Sequence, residues 1–175
     1  MIRKTLTFIL LVSISIYFTA CEDKKEVLVK KKQKQYEYFY PASDRDIKNA
    51  EISQRLYLPV YSHVYTSEDK YEQMGITLSI RNTDFHLNLL IQKISYYNTK
   101  GDLVEEYLDK TYLLKPMASI DFVVDLRDMR GGSGANFIIE YSSKKELSRP
   151  IIEAVMVNNS VNRAFGFVTN AYPIK

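Results

Sequence analysis

The sequence predicts an all-β domain built from short antiparallel strands. Apolar and polar residues alternate along several runs, most regularly from Met74 to Arg81, as they do in a strand with one buried face. Turn-forming residues separate roughly seven to nine such runs, and none has the spacing of an amphipathic helix. The 14 tyrosines also favour strands. The most economical packing is a two-sheet antiparallel β-sandwich of immunoglobulin-like form, and a barrel is the alternative.

Residues 1–20 have the layout of a lipoprotein signal peptide. A basic pair precedes an apolar run of 13 residues, from Leu6 to Phe18, and small residues follow at positions 19 and 20. A membrane-spanning helix is the alternative, but such a helix needs about 20 apolar residues. We therefore predict cleavage after Ala20.

Cys21 follows those small residues, where a bacterial lipoprotein signal has the cysteine that accepts a diacylglyceryl group. The resemblance to the lipobox is incomplete, because Phe18 stands where leucine is most common. The chain has no second cysteine, so it cannot form an internal disulfide. Acyl chains contribute about 0.8 kcal/mol per buried methylene. We therefore expect the membrane to hold the protein through lipid on Cys21, in the bacterial cell envelope and facing the periplasm or the cell exterior.

Residues 21–52 are predicted to form a flexible lysine-rich tether, and residues 53–175 the β-sandwich domain. The segment from Glu22 to Lys34 has six lysines against three acidic residues, whereas residues 35–175 have 16 basic and 18 acidic side chains. Since the domain is slightly acidic and the chain is predicted to be exported, we expect no nucleic-acid partner. The aromatic residues at positions 36–40 either pack on the domain or lie at the membrane interface.

Strands are predicted at regular intervals along the domain. The segment Arg55–Tyr65 is rich in β-branched and aromatic residues, but Pro59 cannot donate to a sheet ladder, so this is an edge strand or a strand that changes sheet. Gly101 is placed to take a positive φ in a hairpin turn at residues 98–102. The other predicted strands are Met74–Arg81, Leu87–Tyr97, Leu103–Leu108, Phe122–Leu126, Asn136–Tyr141, Ile151–Val157 and Ala164–Thr169.

Four segments of the domain carry a family resemblance. They are Leu58–Tyr65, Thr77–Asp84, Gly131–Glu140 and Pro150–Met156. Taken together, they resemble the bacterial domain of unknown function 3124 family. The resemblance implies an exported, envelope-associated domain, and it implies no activity because none is attached to that family.

Tyr61, His63 and Tyr65 are candidate binding residues, because side chains two positions apart lie on the same face of a strand. Such a stripe of rings is typical of sheet packing, and a binding platform is the alternative. Arg81 is a further candidate at the end of a strand. The residues after it are expected to form a turn in which Asn82 and Asp84 bond their own backbone.

Residues 131–134 form a glycine-rich connection, in which Ser133 is a candidate contact together with the nearby Asn136. Backbone N–H groups of a glycine loop can bind phosphate, but such a loop is followed by a helix and usually includes a lysine. A predicted strand follows here, which favours a tight connection. Three glycines are nevertheless costly in folding entropy, so close approach by a ligand or partner stays open.

No cofactor, metal or catalytic site is predicted. The spacing of His63, His86 and Asp84 matches no familiar set of metal ligands. The aspartates at positions 121, 125 and 128 are expected to be solvated, because carboxylate catalysis requires a cleft and separated pKa values.

The predicted function is therefore a non-catalytic interaction module. We expect an envelope protein or peptide to bind at a strand edge, by addition of a strand, or at the glycine-rich loop. A glycan or small-ligand binding protein that uses exposed tyrosines is the alternative. An open, uncharged edge strand favours the first function, and exposed tyrosines in one patch favour the second.

Overall fold

The computed structural model describes residues 36–144, 147–160 and 163–175. The predicted signal peptide, Cys21 and the tether up to residue 35 lie outside these residues. Among the residues that are described, no helix has the length and apolar character needed to cross a lipid bilayer.

The described residues form an all-β fold with antiparallel pairing, as the sequence predicts. A short helix, α1 (Asp44–Lys48), accompanies the strands. The strands are β1 (Phe39–Pro41), β2 (Ile52–Pro59), β3 (His63–Ser67), β4 (Lys70–Gln73), β5 (Gly75–Arg81), β6 (Leu89–Tyr97), β7 (Leu103–Glu106), β8 (Tyr112–Leu114), β9 (Ser119–Val124), β10 (Asn136–Ser143), β11 (Ile151–Ser160), β12 (Arg163–Asn170) and β13 (Tyr172–Ile174).

The strands are arranged in two larger sheets and one hairpin. The larger of the two sheets has the order β1-β8-β6-β10-β2-β13, with β7 also paired to β6, and the four-stranded sheet has the order β12-β11-β5-β9. Among the strands that the structure describes, β3 and β4 pair only with each other. One cluster of buried apolar side chains draws members from both larger sheets, so the two sheets share a hydrophobic core. Its fully buried members include Leu58, Ile94, Phe137, Ile76, Leu78 and Met156.

The alternation that predicts β5 is confirmed, because Ile76, Leu78 and Ile80 are buried on one face of that strand. The predicted hairpin turn is also confirmed. Gly101 has a φ of +85°, and the side-chain oxygen of Asn98 accepts hydrogen bonds from the backbone N–H groups of Lys100 and Asp102, each at 2.9 Å.

The segment around Pro59 is divided between two strands. β2 ends at Pro59 and β3 begins at His63, and between them the N–H groups of Val60 and Ser62 donate to the connection before β10. Since β2 lies between β10 and β13, it is not an edge strand. The chain instead passes from the larger sheet to the hairpin, which is the other predicted outcome.

Residues 36–52, which the sequence assigns to the flexible tether, contain β1 and α1. β1 pairs with β8, and Phe39 is only 6% exposed and stacks on Tyr112 with ring centroids 4.8 Å apart. Ser43 caps α1 by exchanging hydrogen bonds with Asp46. The folded domain therefore begins earlier than predicted, because a single aromatic side chain of this segment completes the core.

Candidate functional site

The hairpin of β3 and β4 presents a cluster of three rings, which we call the ring cluster: His63, Tyr65 and Tyr71. The His63 ring lies 5.2 Å from Tyr65 and 5.0 Å from Tyr71, measured between centroids. Tyr65 and Tyr71 are 59% and 51% exposed, while Val64, on the other face of β3, packs against the core. The ring cluster therefore lies on the solvent side of the hairpin.

Sequence reasoning groups Tyr61 with this cluster and misses Tyr71. Tyr61 precedes β3 and packs edge-on against Phe167 at 5.7 Å, because strand alternation does not extend through the bend at residues 60–62. Tyr71 lies directly opposite Tyr65 in the hairpin register. The sequence feature that could have predicted this pairing is the short polar run between Tyr65 and Tyr71, which permits a hairpin.

The glycine-rich connection is held by side chains of neighbouring loops. The hydroxyl of Ser62 accepts from the N–H of Gly132 at 2.8 Å, and the hydroxyl of Thr99 accepts from the N–H of Gly134 at 2.9 Å. These donors are therefore occupied within the protein, as in the predicted tight connection. Ser133 is half-buried between them, and Asn136 begins β10, where its backbone pairs with β2 and β6.

Close packing accounts for the first glycine of this connection. A Cβ atom at Gly131 would lie 1.8 Å from Oη of Tyr96, whose side chain is fully buried. That Oη has no hydrogen-bond partner among the described residues. Burial and, to a lesser extent, the Asp128 carboxylate raise the pKa of Tyr96 to about 12. Gly132 has a φ of +81°, which also favours glycine.

Arg81 lies at the end of β5 and forms an ion pair with Glu153 of β11, with Nη2 3.0 Å from Oε1. The turn after it has the predicted hydrogen bonds. Oδ1 of Asp84 accepts from the N–H groups of His86 and Leu87, each at 2.8 Å. These donors, followed by the N–H of Ser148, hold the pKa of Asp84 well below its usual range. The buried polar groups of this turn are thus structural.

Of the other acidic candidates, Asp125 and Asp128 are paired with arginines, and Asp121 is exposed on β9. Asp125 accepts from Arg127, while Arg130 is bound by both Asp128 and Glu105. Within residues 36–144, 147–160 and 163–175, no three His, Cys, Asp or Glu side chains are grouped so that they could hold a metal ion.

A cleft of about 830 Å³ lies at one end of β2. Its walls are mostly apolar, with Leu56, Leu147 and Pro150 among them, and Gln54 and Arg149 supply polar groups. The cleft includes none of the candidate binding residues that the sequence predicts.

The outer strand β12 has the features of a partner-binding edge. It closes one end of the four-stranded sheet, and β11 is the one described strand that pairs with it. The seven residues from Ala164 to Asn170 contain no charged side chain. Exposed Phe165 and Val168 are among them, and Val168 is 51% exposed. Natural edge strands are usually protected by charges, prolines or bulges, and this segment has neither charge nor proline.

The hydrogen-bonding direction of β12 follows from its ladder with β11. The N–H of Ala171 donates to the carbonyl of Ile152 at 3.0 Å, and these two residues continue the β11–β12 register. Hydrogen-bonded and non-bonded pairs alternate in an antiparallel ladder. The backbone N–H and C=O groups of Thr169 and Phe167 therefore also bond to β11, whereas those of Gly166 and Val168 point away from it. No described residue hydrogen-bonds the outward N–H and C=O groups of Gly166 and Val168. We call the outward groups of residues 164, 166, 168 and 170 the open edge.

A row of β-branched side chains, which we call the β-branched row, leads across the outer face of the four-stranded sheet to this open edge. Val123, Thr77, Val155 and Val168 are successive cross-strand neighbours on β9, β5, β11 and β12. Val123 and Val168, at the two ends, are 56% and 51% exposed. β-branched neighbours of this kind support strand pairing.

Comparison with known proteins gives a family but no activity. A family model described as "Protein of unknown function (DUF3124)" matches residues 53–174. No curated protein matches this chain. A solved structure, "Crystal Structure of Thermotoga maritima 1070", is similar over 68% of this chain and 92% of that chain, at 14% sequence identity and with a TM-score of 0.41. A likeness at this level supports no inference about function.

Proposed function

We propose that this chain, which belongs to the DUF3124 family of proteins of unknown function, is a non-catalytic interaction module of the bacterial cell envelope. Its partner is a protein or peptide that adds an extended strand along β12. The observation that carries this proposal is the open edge, where the uncharged segment Ala164–Asn170 directs outwards the N–H and C=O groups of Gly166 and Val168, which no described residue bonds. Backbone bonds of that kind give affinity in strand addition, and pockets for alternate side chains give specificity.

Two further parts of the proposal concern fold and location. The two larger sheets are the layers of an immunoglobulin-like sandwich, which is supported by the core that they share. Lipid on Cys21 holds the domain at a membrane, facing the periplasm or the exterior, which is supported by the arrangement of residues 1–21.

The first test is photo-cross-linking in the native membrane. Benzoylphenylalanine replaces Val168 on the open edge in one variant of the full-length chain and Val123 in the matched control, since both valines are exposed on the same face of the same sheet. We expect an adduct of defined mass from position 168 and little from position 123. Equal yields from both positions, or none from position 168, would contradict strand addition at β12.

The anchor is tested by mass spectrometry of the same membrane extract. The proposal expects Cys21 at the N-terminus, carrying acyl chains. A Cys21→Ala variant is expected to leave the membrane fraction. An unmodified cysteine in a chain that retains residues 1–20 would contradict the lipid anchor.

The ring cluster supports a second candidate, a glycan-binding function. Sugar rings stack on exposed aromatic side chains, and Tyr65 and Tyr71 offer two of them beside His63. Binding of soluble envelope oligosaccharides is measured by calorimetry for the unchanged chain, for Tyr65→Ala and for Tyr172→Ala. Tyr65 and Tyr172 are equally exposed, at 59%. Loss of binding only in Tyr65→Ala supports the candidate, and equal binding by all three chains contradicts it.

A further inference from the structure

We propose that the strand added at the open edge is β12 of a second copy of this chain, so that two domains form a symmetric dimer with a continuous eight-stranded sheet. This inference rests on the proposed function, because it requires β12 to be a strand-addition site. It goes beyond that function by naming the partner and the register.

The register follows from the outward groups of β12. An antiparallel two-fold pair whose axis passes between the two copies of Phe167 places Gly166 opposite Val168 of the partner copy. Ala164 then lies opposite the partner copy's Asn170. The residues whose backbone groups point away from β11 therefore form the hydrogen-bonded pairs, and the residues bonded to β11 form the non-bonded pairs between them. Because Phe167 is the midpoint of the uncharged segment from Ala164 to Asn170, this axis pairs the whole segment. It permits about eight backbone hydrogen bonds.

Side-chain shape also favours this register. Gly166 has no side chain on the outer face, where its cross-strand neighbour Val157 is 47% exposed. Val168 of the second copy would lie over Gly166 and beside Val157. The β-branched row of one copy, which ends at Val168, would thereby continue across Gly166 of the other copy to its Val157. On the opposite face, the two Phe167 rings would meet at the axis as a non-bonded pair, in which the Cα atoms are about 4.5 Å apart.

Charge makes a copy of the same strand an acceptable partner. Identical charged strands repel when they pair, and natural edges use this to prevent self-association. From Ala164 to Asn170 no charged side chain is present. The nearby carboxylate of Glu153, opposite Asn170 on β11, is already paired with Arg81.

The test uses the full-length chain in a mild non-ionic detergent, with mass photometry as the readout. Val168→Pro removes an outward N–H and blocks strand addition, but it removes no bond to β11 because that N–H points away from the sheet. Val168→Thr is the matched control, since threonine keeps both the β-branched shape and the N–H. We expect a dimer for the unchanged chain and for Val168→Thr, and a monomer for Val168→Pro that still unfolds in a single cooperative urea transition.

A dimer that survives Val168→Pro, or an unchanged chain that is monomeric, overturns the inference. If Val168→Pro fails to fold, the cross-link from position 168 decides the question. An adduct of twice the chain mass supports self-pairing. An adduct with a different protein alone overturns self-pairing and leaves the proposed function standing, whereas the absence of any adduct overturns both.

The register has its own test in oxidised membranes. Cysteine in place of Phe167 is expected to link two copies by a disulfide, because the axis brings the two positions together. Cysteine in place of Val168 is expected not to do so, because it faces Gly166. The unchanged chain, which has only Cys21, controls for other linkages. Linkage through position 168 and not through position 167 overturns this register.

Discussion

Replacing Phe39 by alanine tests whether the segment before β2 belongs to the folded domain. The ring is 6% exposed, stacks on Tyr112 and meets Phe122 edge-on with centroids 6.3 Å apart. Removing a buried phenylalanine ring costs about 3–5 kcal/mol through lost burial and the cavity that remains. Tyr38→Ala is the matched control from the neighbouring position, since Tyr38 is 38% exposed and its ring stacks on Tyr36. We expect that control to cost less than about 1 kcal/mol.

Urea unfolding of the purified full-length chain measures both changes. With an m-value of about 2 kcal/mol/M, Phe39→Ala is expected to lower the midpoint by about 2 M, and Tyr38→Ala by less than about 0.5 M. A shift below about 0.5 M in both variants would refute the reasoning. In that case residues 36–52 would be dispensable, and the folded domain would begin near residue 53, where the family match begins.

Three other predictions concern buried polar groups. Gly131→Ala is expected to lower the free energy of unfolding by about 1–3 kcal/mol through overpacking against Tyr96, and adding Tyr96→Phe to recover part of this loss; a double-mutant cycle with no coupling would contradict the contact. Folding raises the pKa of Tyr96 from near 10 to about 12, so the stability that its neutral hydroxyl contributes is present below pH 10 and is lost between pH 10 and 12. Over that range the urea midpoint of Tyr96→Phe should therefore fall less than that of the unchanged chain. Parallel curves for the two chains would contradict this expectation. Because the pKa of Asp84 is lowered on folding, the stability that its carboxylate contributes is present above about pH 4 and is lost as the pH falls below that value. The urea midpoint of Asp84→Asn should therefore fall less with acid than that of the unchanged chain. An equal fall in both chains would contradict the hydrogen bonds assigned to Asp84.

The fold could be predicted from sequence where the pattern is local. Alternation places β5, and the turn residues Asn98 and Gly101 place the hairpin that follows β6, because each signal lies within the element that it specifies. β1 was not predicted, because the residues that bury it are distant in the sequence. Phe39 is buried by side chains from β8 and β9, far along the chain, and no nearby period marks it as a core residue.

In the candidate sites, too, local contacts could be predicted and long-range contacts could not. His63 and Tyr65 could be paired by spacing, but Tyr71 joins them only through the register of a hairpin whose second strand has no clear alternation. The open edge could not be predicted at all. The sequence marks Ala164–Thr169 as a strand, yet whether a strand is internal or terminal depends on where the others lie, and that order is set by long-range pairing.

A comparison among the outer strands explains why β12 is the site to test. β1 and β13 have three residues each, and β7 includes Glu105 and Glu106. β9, at the other end of the four-stranded sheet, includes Asp121. The other outer strands of the two larger sheets are thus short or charged, which are usual protections of an edge. In the hairpin, β3 has a register shift between Tyr65 and Ser67, and β4 includes Lys70 and Glu72. β12 has eight residues and lacks charge beyond its first position. Because such an edge promotes uncontrolled association, the proposed pairing of β12, with a second copy or with another protein, would explain why this edge alone lacks the protections of the others.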